Sequence, residues 1–392
     1  MAPSILAEIT RPDLEDTSHD FPATITDLQH LSSYNWIETK NPTIAVPGCP
    51  NLWTGLRRAS AVKKDSGLIY ISQNAARHPD SPLEPLFRAL YLTQPSFDIT
   101  TVDLVSDRNN LRKLLSFVDP NTPARRRESF TIRVECVKDT IVFCREDTAA
   151  TTYIGKNEFM GYGHSFEEAC TENQVEHGTG HHRIVSYTFH GLKLLVRFET
   201  DGYVLDKQDQ NPHVPSPSKS TSTCTFTPPA HDDEASLDAL LQTLTISPSQ
   251  PPTPLTFPAF KLTIHPTGRT IAASSILEIK TRVQHKPIPL AEIAPQLWLS
   301  QTPKLVRAYH ERGTFGVSCV EDVAGELAAW EKGNEGVLRG LGVLIRRIGA
   351  VVRRVGSGVV RFDEGGDRLV VWDGGEGERM LPGDLYARWD GV

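Results

Sequence analysis

Four stretches of this sequence read as paired β-strands, and pairs of that kind dictate a sheet. FTIRVECVKDTIVFCRE alternates apolar and polar residues on both sides of Lys138-Asp139, and HRIVSYTFHGLKLLVRFETDGYV does so around His190-Gly191. FKLTIHPTGRTIAASSILEIKTR reads as a third pair with its turn at Pro266-Thr267-Gly268, and GVVRFDEGGDRLVVWDG as a closing hairpin. Helical spacing falls between the pairs. SDRNNLRKLLSFV predicts a helix opening near Asp107, with Leu111, Leu114, Leu115 and Val118 as its buried side. HSFEEACT marks a helix start, PLAEIAPQLWLSQ a helix followed by a strand from Pro303, and 321–355 a long helix. These elements predict an α/β fold with a mixed, largely antiparallel core of two sheets flanked by helices.

The organisation along the chain is uneven. Residues 1–20 mix acids and prolines and read as a flexible tail, without the basic-then-apolar pattern of a signal peptide. Residues 21–205 form the N-terminal part of a single catalytic domain and 258–392 its C-terminal part. Ten of the 28 prolines lie between Pro212 and Pro258. A segment so rich in Pro, Ser and Thr buries too little apolar surface to offset its ordering entropy, so 206–257 reads as an exposed insertion, interrupted by a short helix, ASLDALLQTL. No apolar run reaches the roughly 20 residues of a membrane span, so a soluble protein is expected. The six cysteines lack a CxxC pair and read as reduced thiols, in keeping with the nucleus or cytoplasm. The net charge of −7 excludes a polycation, so any nucleic-acid binding must come from a local basic groove.

Two short motifs carry chemistry. Glu199-Thr200-Asp201 ends one strand and Glu278-Ile279-Lys280 lies on another. Side chains two apart on a strand share a face, so E-x-D and E-x-K on adjacent strands crowd three carboxylates and one ammonium together. Such carboxylates repel, and one must hold a proton unless a cation sits among them. Hard oxygen ligands on a rigid sheet favour Mg²⁺ or Mn²⁺, which serve phosphodiester hydrolysis. The bland alternative is a solvated strand face on which Arg197 and Glu199 form a salt-bridge ladder. Against it, Leu195 precedes Glu199 and Ile276 precedes Glu278 on the same faces, as on the floor of a cleft.

In order along the chain, Arg108, Gly-His-Ser-Phe-Glu167, Glu199-Thr-Asp201, Glu278-Ile-Lys280 and Trp298-Leu-Ser-Gln301 resemble the motifs of the decapping exoribonuclease (DXO-type) family of RNA 5′-end quality-control nucleases. The resemblance covers most of the chain from about residue 90 and implies a core similar to the PD-(D/E)XK nucleases. It implies that Glu167, Asp201 and Glu278 ligate the metals, with the Ile279 carbonyl as a further oxygen, and that Glu199 acts beside them. It implies that Lys280 and Gln301 contact the scissile phosphate and nucleophile, and that Arg108 holds an RNA phosphate or 5′-end group. Arg108 sits in Asp-Arg-Asn where the family has Trp-Arg-Gly. The function implied is metal-dependent hydrolysis at an RNA 5′ end, by cap removal, 5′→3′ exonucleolysis or both. The partner is RNA with a modified or unprotected 5′ end, and a 5′→3′ exoribonuclease is a candidate protein partner. Two alternatives stay open: a non-catalytic RNA-binding partner of a processive exoribonuclease, and a DNA-directed nuclease of the same core.

Other signals read as structural. Asp232-Asp233 lies in the proline-rich segment without the third acid of a D-D-x-x-D motif. His177, His181 and His182 have a zinc-like spacing, but Gly178 and Gly180 argue for a loop and a solvent-facing cluster. Gly340-Leu-Gly342 lacks the strand that precedes a dinucleotide loop. Arg346-Arg347 and Arg353-Arg354 read as the solvated side of a helix, and Arg125-Arg126-Arg127 as an exposed loop.

Overall fold

The computed structural model describes residues 4–15, 20–122, 127–155, 157–205, 255–257, 262–375 and 379–391. The predicted helix in the insertion, Asp232-Asp233 and Cys224 lie outside the described residues. Two sheets carry the fold, as the strand pairs require. The larger has twelve strands among the described residues and the smaller has eight positions built around Ile276–Val283 and Lys304–Glu311. Helices flank both.

In the centre of the large sheet, Leu104–Asp107 lies between Thr140–Glu146 and Leu192–Thr200, parallel to each. Its neighbours on the far sides are antiparallel hairpin partners, Phe130–Val137 and Gly178–Phe189. The period-two pattern divides these strands between two cores. Leu104, Ile141, Phe143, Leu194 and Val196 join the core under the helices Arg108–Val118 and Glu335–Val355. Val105, Val142 and Leu195 point the other way, onto the helix Glu84–Thr93 and the C-terminal Leu385 and Trp389. The helix Arg108–Val118 buries Leu111, Leu114, Leu115 and Val118 as its spacing predicts. Full burial of each such side chain contributes roughly 1.5–3 kcal/mol before ordering costs.

Several expectations need correction. The expected tail over 1–20 includes a strand, Ile5–Thr10, paired antiparallel with Arg368–Asp373, and Ile9 and Leu14 are buried. Residues 255–257, placed in the insertion, form a short strand beside Leu262–Gly268. That strand runs through the expected turn and lies parallel to Thr43–Gly48, while Ile276–Val283 belongs to the small sheet. The two halves of FKLTI…EIKTR are therefore not a hairpin. Gly268 (φ +99°) passes Gly48 so closely that a Cβ would meet the Gly48 carbonyl oxygen at 2.2 Å. Its glycine reports a close strand approach, where a turn was expected. The long helix is two, Ala324–Gly333 and Glu335–Val355, broken at Asn334 behind a glycine. Among the described residues the cysteines are free thiols, and no helix is long and apolar enough to cross a membrane.

Arg197 sits beside Asp107 in the parallel register and is 1% exposed. Its Nε donates to Asp107 Oδ1 at 2.6 Å and its Nη2 to Oδ2 at 2.9 Å, while Nη1 reaches the Pro82 carbonyl and Tyr34 hydroxyl. Burial pushes the guanidinium pKa down, but Asp107 and Tyr34 outweigh it and the net shift is upward. The salt-bridge ladder with Glu199 is thereby excluded, since Arg197 is spent on the strand beside it. Removing one partner of such a pair leaves an uncompensated buried charge. Asp107→Asn is expected to lower unfolding free energy by about 3–5 kcal/mol, measured by urea titration at neutral pH. A loss below about 1 kcal/mol would show that the pair does not tie these strands.

Candidate active site

The chain passes from the large sheet to the small one at Asp201. Leu192–Thr200 ends the first run, and Gly202–Tyr203 immediately pairs antiparallel with Leu277 and Ile276. That transfer brings E-x-D onto E-x-K. Asp201 accepts from the Ile279 backbone N–H at 2.7 Å, which locks the two motifs in register. Leu277 and Ile279 point down into an apolar cluster with Phe166, and Phe166 carries its neighbour Glu167 on the helix Gly163–Cys170 to the same place.

Glu278 is the centre of the arrangement and is 2% exposed. The Lys280 ammonium donates to its Oε1 at 2.5 Å, the Gln296 amide also donates to Oε1, and Arg108 Nη1 stands 3.4 Å from Oε2. Arg108 also reaches Ser300 Oγ at 3.3 Å, with its guanidinium 5.5 Å from the Phe198 ring centre. Glu199 faces the cleft and accepts from Gln73 Nε2 at 3.2 Å.

The electrostatics follow from the crowding. Burial raises the Glu278 pKa, but Lys280 and Arg108 overcome this and hold it below the usual value. Its neighbours give way instead. Burial and then Glu278 push Asp201 up to about 7. Burial, then Asp201, drive Glu167 well above the ordinary carboxylate range, with Glu278 and Glu199 adding to the rise. Glu199 is also raised, by desolvation, with Arg108 opposing. Burial and mutual repulsion therefore favour the protonated forms of these acids, and a divalent cation would compete with those protons for the same oxygens. The donor chemistry suits such an ion. Among the described residues, however, no three His, Cys, Asp or Glu side chains already stand at coordination spacing. Lys280 and Gln296 both donate to the same Glu278 oxygen, Oε1.

Of the residues singled out in the sequence, Arg108, Glu167, Glu199, Asp201, Glu278, Ile279 and Lys280 come together. Gln301 does not join them by a hydrogen bond. It takes a left-handed conformation at the end of the helix Leu290–Ser300, and its amide donates to the Trp298 carbonyl at 2.6 Å. Gln296, a turn earlier, makes the contact to Glu278. Gln73 and Gly180 are the other residues the sequence did not disclose. A Cβ on Gly180 would lie 2.3 Å from both Gln73 Nε2 and Glu199 Oε1, so this glycine makes room for their contact. The signal was present as a glycine inside a strand. His181 and His182, expected in a solvent-facing loop, are buried on that strand at 3% and 4% exposure. Burial lowers both pKa values, and His182 stacks on Tyr34 with ring centres 5.0 Å apart.

Burial pushes the Asp201 carboxyl from 3.8 up to about 7, so between these values the folded chain binds more protons than the unfolded one. Its contribution to stability is therefore favourable at low pH and falls as pH rises through that window. In metal-free buffer the Tm of the wild type is expected to fall relative to that of Asp201→Asn between about pH 4 and pH 7. Parallel Tm profiles would show that Asp201 is not protonated in the folded state.

No curated protein matches this sequence. Solved structures match its fold. Rai1 from S. pombe is 10% identical, with 93% of this chain and 98% of that chain covered at a TM-score of 0.54. Scheffersomyces stipitis Rai1 in complex with (3′-NADP)⁺ and calcium ion is 11% identical, covering 94% and 96% at 0.56. Candida albicans Rai1 in complex with pU5-Mn²⁺ is 11% identical, covering 98% and 99% at 0.54. The expected likeness to DXO-type decapping exoribonucleases is thus borne out at the level of the fold. A family profile matches residues 5–385, and the chain belongs to that family, described as Domain of unknown function (DUF8563).

Proposed function

We propose that this chain is a metal-dependent hydrolase of RNA 5′ ends, removing a cap or 5′ group, degrading 5′→3′, or both. One observation carries the reading: four carboxylates from three elements converge beside Lys280 and Arg108, and the pKa values of three of them are raised. A pure scaffold has no need of an arrangement that disfavours its own charges. The metal and RNA complexes known for Rai1 structures of the same fold are consistent with it.

Glu167, Asp201 and Glu278, with the Ile279 carbonyl, would hold Mg²⁺ or Mn²⁺. Such an ion, when bound, supplies Lewis-acid stabilisation of the phosphate and a more acidic water. The chain supplies the rest. Arg108 presents a guanidinium suited to a phosphate oxygen at the 5′ end. Lys280 offers an ammonium to charge that develops on the reacting phosphate, in a site where neighbouring protein keeps the local dielectric low. Glu199, whose Oε1 accepts from Gln73 and whose pKa is raised, would take a proton from the attacking water at Oε2. Gln301 would reach the phosphate only by giving up its bond to Trp298, so Gln296 is the better-placed amide in this arrangement.

A non-catalytic RNA-binding role is favoured by one feature, the neutralisation of Glu278 by Lys280, Arg108 and Gln296. One experiment separates the readings. The protein is incubated with RNAs bearing a 5′-monophosphate, a triphosphate, an unmethylated or methylated cap, or a nicotinamide-type cap, with Mg²⁺, Mn²⁺ or chelator. Release of nucleotides or cap products only with metal is expected, and equal release in excess chelator would sink the metal mechanism. Asp201→Asn and Glu278→Gln are each expected to lower single-turnover cleavage by at least ~10²-fold, and Lys280→Met to depress it as well. Normal cleavage by both acid variants would show that the nuclease site is misassigned.

A further inference from the structure

We propose that Arg112 and Arg145 form a second phosphate position, which holds the first internal phosphate of a single-stranded RNA whose 5′ end lies at Arg108 and Lys280. This inference rests on the functional reading above and adds the course of the substrate strand. Arg108, Arg112 and Arg145 line one cleft of about 420 Å³ together with Glu199, Gln73 and Gln296. Arg112 lies four residues after Arg108 on the helix Arg108–Val118, hence on the same helical face, one turn farther from the acids. Arg145 comes from the end of the strand Thr140–Glu146, so two elements converge.

Arg112 leaves its positive charge unspent, and Arg145 shares a single carboxylate with Lys113. Arg112 is exposed to the cleft, and its Nη2 donates to the neutral Asn109 side chain at 3.3 Å. Among the described residues no carboxylate forms an ion pair with it. Arg145 is ion-paired through Nε with Asp147, whose two oxygens lie at 2.6 and 2.5 Å, while its Nη1 stands 3.5 Å from the Ile71 carbonyl. The same carboxylate, Asp147, also has Lys113 at 3.9 Å. The surrounding protein lowers the Arg112 pKa most; Glu128 opposes, and the like charges of Arg108 and Arg145 add to the fall. Three guanidiniums sharing one wall repel each other and are relieved by an anion. Arginine forks suit phosphate oxygens, and spacing along a helix suits successive phosphates better than one compact group.

Position also separates an internal phosphate from a longer 5′-terminal polyphosphate. Arg112 and Gln296 line a second groove of about 460 Å³, shared with Pro295, Trp330 and Asn334. Arg112 therefore lies on the shared border of the two depressions. A dead-end pocket would hold a terminal group, whereas a junction lets a strand continue.

The test is metal-free binding to the full chain, followed by fluorescence anisotropy or competition at several salt concentrations. The probes are a 5′-phosphorylated ten-nucleotide oligouridylate, 5′-UMP and UTP. Arg112→Gln with Arg145→Gln is expected to weaken the oligonucleotide about tenfold or more and to reduce the salt slope by about 1–1.5, leaving UMP and UTP affinity within about twofold. Arg112→Gln alone, at an exposed position without an ion-pair partner, is expected to give about half the slope change and guards against misfolding of the double variant. Unchanged oligonucleotide affinity in both variants would overturn the second position and leave the hydrolase reading standing. Equal losses for UTP and oligonucleotide would also overturn it, placing both arginines at a terminal polyphosphate. A wild type that binds none of the probes would overturn this inference, while cleavage in the panel of 5′ ends separately decides the hydrolase reading.

Discussion

The bidentate pair between Arg197 and Asp107 sets the frame on which the site is built. It joins the strands Leu104–Asp107 and Leu192–Thr200 at one parallel register position, and it lies in the protein interior. Asp107 is followed directly by Arg108, and Arg197 precedes Glu199 by two residues on the same strand face. One fork of hydrogen bonds thus fixes where a cationic and an anionic group of the cleft emerge. Because the pair is buried, a shift of one residue in register would strand both charges without partners. The spacing of the candidate site is set by that penalty as much as by backbone pairing.

The second constraint is the passage of the chain between sheets at Asp201. Without it, E-x-D would end in the large sheet and E-x-K would lie in the small one with no reason to meet. Tyr203 and Gly202 pair with Ile276 and Leu277, and Asp201 caps the Ile279 N–H, so the carboxylates are pressed together by main-chain bonding. The acids do not gather by attraction. They are gathered by strand pairing and relieved by Lys280, Arg108 and protons.

What the sequence disclosed, and what it hid, follows from the range of each signal. Period-two and helical spacing are local, so the helix Arg108–Val118 and the hairpins turning at Lys138 and His190 were legible. Which sheet a strand enters is a long-range matter. Residues 262–268 and 276–283 looked like one hairpin because nothing local reports that Gly268 nestles against Gly48. Ile5–Thr10 was missed because a six-residue edge strand beside prolines carries little alternation of its own and depends on Arg368–Asp373 for pairing. In the site, the charged motifs were visible, but Gln73 and Gln296 were not, since neutral amides acquire a role only from the carboxylate they meet. The strand glycine at 180 was read as a loop signal, and its meaning is steric.

Seen together, the cleft has two electrostatic zones with different tasks. Around Glu278 the excess is anionic, held in check by protons and by one lysine, so cations and water chemistry belong there. Along Arg108, Arg112 and Arg145 the excess is cationic, so a polyanion belongs there. Arg108 touches both, through Glu278 on one side and the arginine wall on the other. In a chain with a net charge of −7, this local asymmetry is what would draw an anionic polymer into the cleft, and its field is screened beyond about 8–10 Å at moderate salt. Recognition of such a polymer would then rest on contact inside the cleft rather than on long-range steering. On the proposed reading, a phosphate that reached Arg108 would also lie beside the acids, since Arg108 Nη1 stands 3.4 Å from Glu278, and binding of the strand end would be coupled to the place where it is cut.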